Sequence, residues 1–418
     1  TQLFAYPLPD NKLRLMNVPM LDKASDVNIT LNLDGTMQID PQPLGNNSYY
    51  GDLYLFKVTE NTDASGNVKF SASVLNPITA SYDATGKGIT IGGYGVATPT
   101  LSALFGTYEG SNVTLTNGIE FPTAPTLKLE GEGTAESPWI IKQASDLVAI
   151  AQDASVNKSI RSEVLTETGV SDPYSYQNIY SGKYFKLGAD ITFNSDTVMT
   201  PIGSKELRFN GVLIGDGHKI NDFTIQNYAY DHCGLFRTLG KDSKVSGIVF
   251  ESPYISSIGY TVGVVAGTSY GDISDIRLEN PVLSCASGYN IGGIAGYSYG
   301  KLKNITVSNI QLTSQGYCGG AAGRSYTDLE NINVTGRIVM GGKQAFGGGI
   351  VGHATKLTIE SPQPQIRHCG FGGHVVTGNN ATAIGGIAGG FSYAKMESCF
   401  SAAQVVSGAV SDAYAGGL

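Results

Sequence analysis

Gly292–Leu312 reads GGIAGYSYGKLKNITVSNIQL. The stretch before it, Gly263–Leu283, is GVVAGTSYGDISDIRLENPVL, and the one after it, Gly319–Val339, is GGAAGRSYTDLENINVTGRIV. The charges change between copies, while the glycines, a Ser-Tyr pair and the alternating apolar residues stay. Aligned on the last glycine of each G-h-h-G stretch (h, apolar), Gly267, Gly296, Gly323, Gly352 and Gly389 fall at intervals of 29, 27, 29 and 37, and a diverged copy places Arg237 there. Self-similarity at this period marks stacked supersecondary units. Alternation of period 2 inside each copy excludes helical repeats.

Four columns run through the copies. Val245, Ile273, Leu302, Leu329, Ile366 and Met396 form the first, and Ile248, Ile276, Ile305, Ile332, Cys369 and Cys399 the second. Phe250, Leu278, Val307, Val334 and Phe371 form the third. Between the first two lies a polar column of Gly247, Asp275, Asn304, Asn331, His368 and Ser398. A solenoid accounts for all four: apolar columns stack inside, and the short polar residues occupy a corner where the left-handed conformation is needed. No single coil could bury its inner face, so the repetition is obligatory. The predicted architecture is all-β: a right-handed parallel β-helix over residues 127–418, preceded by a small antiparallel β-sandwich or barrel over residues 1–126.

The amino-terminal part has the grammar of antiparallel β. NITLNLDGTMQI (Asn28–Ile39) alternates, turns at Asp34-Gly35 and resumes, which is the pattern of a tight hairpin. GDLYLFKV, GNVKFSASV, GKGITIGGY and SNVTLTNGI read as further strands, and FPTAPT (Phe121–Thr126) as the boundary. Beyond it, a strand at Trp139–Ile141 precedes a helix over about 144–153, with Ser145 as N-cap and Leu147, Ile150 and Ala151 on its apolar face. This helix is placed to cap the first coil. Ser155–Ser181 is polar and reads as an insertion or loop. At the other end, YAGGL stops five residues into a new copy, so the solenoid is expected to continue past this chain.

The copies GGIAG, GGAAG, GGIVG (Gly348–Gly352) and GGIAG (Gly385–Gly389) resemble the repeats of GLUG-motif proteins. GEGTAESPWIIKQASDLVAIA, GKYFKLGADI, PIGS and FNGVLIGDGHKINDFTI resemble the lead-in to such β-helices in surface proteins of gut Bacteroidetes. The resemblance covers about Gly131 to Leu418. It implies an exported, cell-surface or outer-membrane-associated protein of adhesin type, whose glycines are structural. Some immunoglobulin-cleaving metalloproteases contain these repeats too, but their H-E-x-x-H zinc motif does not occur here.

The chain has 418 residues, 15% of them charged, with 55 glycines and a net charge of −8. No basic run suggests a nucleic-acid partner or an anionic membrane surface, and no apolar stretch has the length of a membrane span. The five cysteines and five histidines are scattered, so neither a metal site nor a cofactor is expected. Cys369 and Cys399 share a column within disulfide reach but read better as small apolar replacements for Ile. Cys233 and Cys318 are expected to differ in register and to lie several coils apart, too far to bridge.

Parallel β-helices also carry polysaccharide lyases and hydrolases, which need converging acids and a base. The candidates are Asp216, Asp222, Asp231, Glu251, Asp272, Asp275, Glu279, Asp328 and Glu330, with His218 beside Asp216 in GDGH; no basic partner recurs beside them. The Ser-Tyr pair offers more. Tyr270, Tyr299, Tyr326 and Tyr393 follow Ser269, Ser298, Ser325 and Ser392, and stacked tyrosines would form either a ligand-binding strip or a rim ladder covering the coil edge. The sequence therefore predicts a non-enzymatic display rod that binds a glycan or a host-surface protein. The alternative is a carbohydrate-active enzyme of the pectin-lyase-like type.

Overall fold

The computed structural model describes the chain apart from residues 1–3, 9–11, 21–22, 33–35, 48–50, 63–65, 67, 74–75, 86–87, 99–103, 109–110, 115–126, 168–174, 195–198, 228–231, 258, 286–288, 342–344, 379–382, 409–413 and 417–418. Two compact units emerge, one comprising Thr1–Ala124 and the other Pro125–Asn227 with Asp231–Leu418. The predicted Asp34-Gly35 turn and FPTAPT lie outside the described residues, as does Asp231.

The first unit is antiparallel, with one seven-stranded and one five-stranded sheet. Lys23–Leu31 pairs with Met37–Ile39 around the predicted hairpin, with Thr30 opposite Gln38. Alternate residues of both sheets, among them Val27, Ile29, Ile39, Leu55, Ile78, Ile89 and Val96, share one apolar core. Burying one face of each sheet against the other stabilises a sandwich.

The second unit is a parallel β-helix. Its strands form a seventeen-stranded, a nine-stranded and a seven-stranded sheet, each running along the solenoid. The first apolar column is in register coil by coil: Val245 pairs with Ile273, Ile273 with Leu302, Leu302 with Leu329, Leu329 with Ile366, and Ile366 with Met396. Phe250, Leu278, Val307, Val334 and Phe371 follow one another in the same way. Leu302 and Leu329 have no exposed surface, and nearly every member of these columns belongs to one continuous core. Each such aliphatic side chain contributes on the order of 1.5–3 kcal/mol.

The polar column is the corner that was expected. Gly247, Asp275, Asn304, Asn331, His368 and Ser398 all have φ between 52° and 71°. Their side chains link coils, since Asn304 donates to Asp275 Oδ1 at 2.9 Å and Asn331 donates to Asn304 Oδ1 at 2.9 Å. A second corner, unanticipated from the sequence, holds Asp222, Ser252, Asn280 and Asn309 at φ 51–58°, with Asn309 donating to Asn280 Oδ1.

A single α-helix among the described residues, Ala144–Val156, packs Leu147, Ile150, Ala151 and Ala154 onto the core of the first coil. Ser145 is not its N-cap. That position is Gln143, because Asp146 reaches back to accept the N–H groups of Lys142 and Gln143 and so starts the first turn earlier than expected. The polar stretch from Ser155 is also more than a loop. Ser175–Ile179 pairs in parallel with Leu207–Phe209 and belongs to the nine-stranded sheet. The buried Tyr180 beside it donates its hydroxyl to Asp153 at 2.5 Å.

Candidate functional site: a tyrosine-walled groove

The nine-stranded sheet carries the glycine column, and the space around those glycines decides the surface. A Cβ on Gly267 would lie 2.6 Å from the Cys233 backbone N, one on Gly296 2.6 Å from Val262 N, and one on Gly323 2.4 Å from Ile291 N. All three clashes are with backbone of the seven-stranded sheet. The glycines let the two sheets approach, and beside that junction runs a groove of about 520 Å³.

The Ser-Tyr pair explains one side of it. Ser269, Ser298 and Ser325 are buried and donate their hydroxyls to the carbonyls of Gly271, Gly300 and Thr327, which turns the chain after the tyrosine. Each tyrosine N–H then donates to the preceding coil: Tyr299 to Ser269 at 2.8 Å, Tyr326 to Ser298 at 2.9 Å. As a result Tyr270 and Tyr299 stack with ring centroids 4.6 Å apart and 7° between planes, and Tyr299 and Tyr326 at 4.8 Å and 11°. Rings this close cover each other's faces and present their edges. Arg208, held by Glu167, lies 4.4 Å from the Tyr270 ring centroid. Burial, then the neighbouring tyrosines, pushes the Tyr299 phenol up, so its hydroxyl stays protonated.

Tyr393 is not a member of this ladder. Pairing carries Ser325 to Ala354 and on to Phe391, so Ser392 occupies the ladder position. GGIAGGFSY has one residue more than GGIAGYSY, which moves Tyr393 past the column, where it is 73% exposed at φ 55°.

Sequence reasoning missed the opposite side. Tyr260 and Tyr289 face the same groove, 43% and 57% exposed, with centroids 5.2 Å apart. The signal existed in GYTVG and GYNIG, a second repeated Gly-Tyr pair one strand before the glycine column. Between the walls lie two further columns in register, Thr268–Tyr297–Arg324–His353 and Thr261–Asn290–Tyr317–Phe346. Arg324 sits over Tyr317 and Tyr326, its guanidinium carbon 5.4 and 5.2 Å from their centroids. His232, with Nδ1 2.8 Å from Thr268 Oγ1 and 2.7 Å from Thr261 Oγ1, is held down at about 3 by burial and then by Arg237, Lys205 and Arg208. Burial and Arg324 hold His353 down at about 4.

The candidate acids among the described residues lie elsewhere. Asp216, at φ 52°, pairs with Lys186 at 2.7 Å, and that contact keeps its carboxyl below the usual range. His218 meets Asp190 at 3.0 Å, and Glu251 meets Lys219 at 2.8 Å. Glu279 pairs with Arg277, and Glu330 with Lys303 and Arg367. Asp272 and Asp328 accept the backbone N–H groups of Lys301 and Gln365, and Asp222 and Asp275 serve the corners. None of these lines the groove. Among the described residues no His/Cys/Asp/Glu group could hold a metal, and no helix is long and apolar enough to cross a membrane.

All five cysteines are free thiols. Cys233 and Cys318 in fact share a register, through Val262 and Ile291, but stand three coils apart. Cys369 and Cys399 donate to backbone carbonyls, Cys369 to Arg367 and Cys399 to Ile366.

No family model matches the chain. It is 29% identical over 194 residues to halomucin of Haloquadratum walsbyi, an alignment covering 46% of this chain and 2% of halomucin. It is 26% identical over 156 residues to a "Putative Gly-rich membrane protein" of Evansella cellulosilytica, covering 36% of this chain and 15% of that one. The chain thus spans a small fraction of either relative. Among solved structures, a "putative immunoglobulin A1 protease" from Bacteroides ovatus aligns over 70% of this chain and 86% of its own, with TM-score 0.45 and 18% identity.

Proposed function

We propose that this chain is a non-enzymatic, adhesin-like part of an exported surface protein, a β-helical rod of GLUG-type repeats that binds a glycan in the tyrosine-walled groove. The observation that carries the reading is the groove itself. Tyr260 and Tyr289 are about half exposed, the Tyr270–Tyr299–Tyr326 ladder offers a rim of ring edges, and among the described residues no carboxylate lines the groove. Rings that are apolar on the face and polar at the tip suit sugars, which pair an apolar face with peripheral hydroxyls. Acid/base cleavage of a glycosidic bond needs converging carboxylates, and the acids here are engaged in corners and ion pairs away from the groove. The names of the two relatives, a halomucin and a membrane protein, support a place at the cell boundary.

Titrating the full chain with a panel of neutral and uronate polysaccharides tests this. Saturable binding without release of reducing or unsaturated ends, weakened by Tyr289→Ser with Tyr260→Ser, is the expected result. Product release would replace this reading with the carbohydrate-active enzyme, and an absence of binding across the panel would refute it.

A further inference from the structure

Arg324 lines the last coil of the groove, stacked on Tyr317 and Tyr326. Among the described residues no acid pairs with it, and its Nε is buried without a hydrogen-bond partner. Three other arginines of the β-helix meet acids: Arg208 meets Glu167, Arg277 meets Glu279, and Arg367 meets Glu330. A guanidinium set among aromatic rings keeps its five donors in a planar fork that fits a carboxylate with two parallel bonds. The chain as a whole carries −8, yet among the described residues this groove is lined by Lys205 and Arg324 and by no Asp or Glu. Positive charge here is therefore local.

A second group points into the same space. Asn290, 2% exposed and lining the groove, has a buried Oδ1 with no donor. Buried acceptors are nearly always satisfied, and leaving one unmet costs about 1–3 kcal/mol. A hydroxyl donor from a bound molecule would meet it. The three features specify one chemistry: rings to lie against tyrosine, hydroxyls to donate, and a carboxylate to accept from arginine.

We infer that the groove takes an acidic polysaccharide, a chain of uronic-acid rings whose carboxylate accepts paired hydrogen bonds from the Arg324 guanidinium while a ring hydroxyl donates to Asn290 Oδ1. This rests on the glycan-binding reading and narrows it to charged chains. Nucleic acid fits less well, since the phosphate repeat calls for a run of cations that the groove lacks.

The test compares polygalacturonate, its fully methyl-esterified form and a neutral galactan, each titrated into the full chain by calorimetry. Polygalacturonate should bind in a salt-weakened manner, and esterification, which removes the charge without touching the protein, should weaken it by about tenfold or more. Arg324→Gln should produce a loss of the same size, and the exposed-face variant Lys303→Gln none. Equal binding of the free and esterified polymers would overturn the inference even if Arg324→Gln folds poorly, while leaving glycan binding intact. Failure of all three polymers to bind would overturn this inference and the glycan-binding reading together.

Discussion

Asn304 tests the corner of the coil. Its backbone is held at φ 55°, and its side chain both donates to Asp275 and accepts from Asn331, each at 2.9 Å. Two substitutions separate these contributions. Asn304→Gly removes the two exposed ladder bonds but is at ease in the left-handed conformation, so it should cost about 1 kcal/mol. Asn304→Ala removes the same bonds and keeps a Cβ without the polar group that eases asparagine in the left-handed conformation, which costs about 1–2 kcal/mol relative to glycine, for a loss of about 2–3 kcal/mol. The alanine variant should melt about 2–4 °C below the glycine variant. Trp139 is the chain's one tryptophan and sits in the first coil, so the melt can be followed by its fluorescence. Equal or greater stability of Asn304→Ala relative to Asn304→Gly would refute the left-handed corner as the reason short polar residues recur there.

Other consequences follow from the same contacts. Gly323→Ala places a Cβ 2.4 Å from the Ile291 backbone N, where nothing flexible can give way, and should cost about 2–4 kcal/mol in chemical denaturation; a neutral effect would contradict the close approach of the two sheets. His232 and His353 have folded pKa values lowered to about 3 and about 4, whereas the unfolded chain takes up these protons near 6.5. Their contribution is therefore complete above pH 6.5 and is lost as pH falls from 6.5 toward 4 and 3. Imidazole nitrogen shifts at pH 5.5 should show both rings neutral, and protonation of either near pH 6.5 would contradict the described burial. Burial also pushes the Cys233 and Cys369 thiols up to about 12, so a thiol reagent at pH 8 should modify them only after denaturant is added; rapid labelling of the folded chain would count against the packed columns.

Much of the fold was legible because stacking imposes the same requirement on every coil. Leu302 and Leu329 must both be apolar since each forms the other's floor, and Asn304 and Asn331 must both tolerate positive φ. What repeats can be read from one chain. The cap resisted that approach, since the first coil has no predecessor to compare with: Asp146 rather than Ser145 organises the helix start, and Ser175–Ile179 joins the nine-stranded sheet without any repeat motif. The groove was half legible. Tyr270, Tyr299 and Tyr326 share a motif, but one extra residue before Tyr393 breaks the column, and only pairing shows it. Tyr260 and Tyr289 repeat in GYTVG and GYNIG, but it is the pairing of the sheets that brings them to the same groove as the ladder.

The claim underlying both fold and groove is that residues about thirty apart are neighbours across coils. Thr306 and Asn333 are exposed partners on adjacent strands of the long sheet, so the double variant Thr306→Cys with Asn333→Cys should form a disulfide quantitatively under mild oxidation. The offset pair Thr306→Cys with Thr335→Cys should not. Cross-linking of the offset pair in preference to the first, or of neither, would contradict the register on which the groove is built.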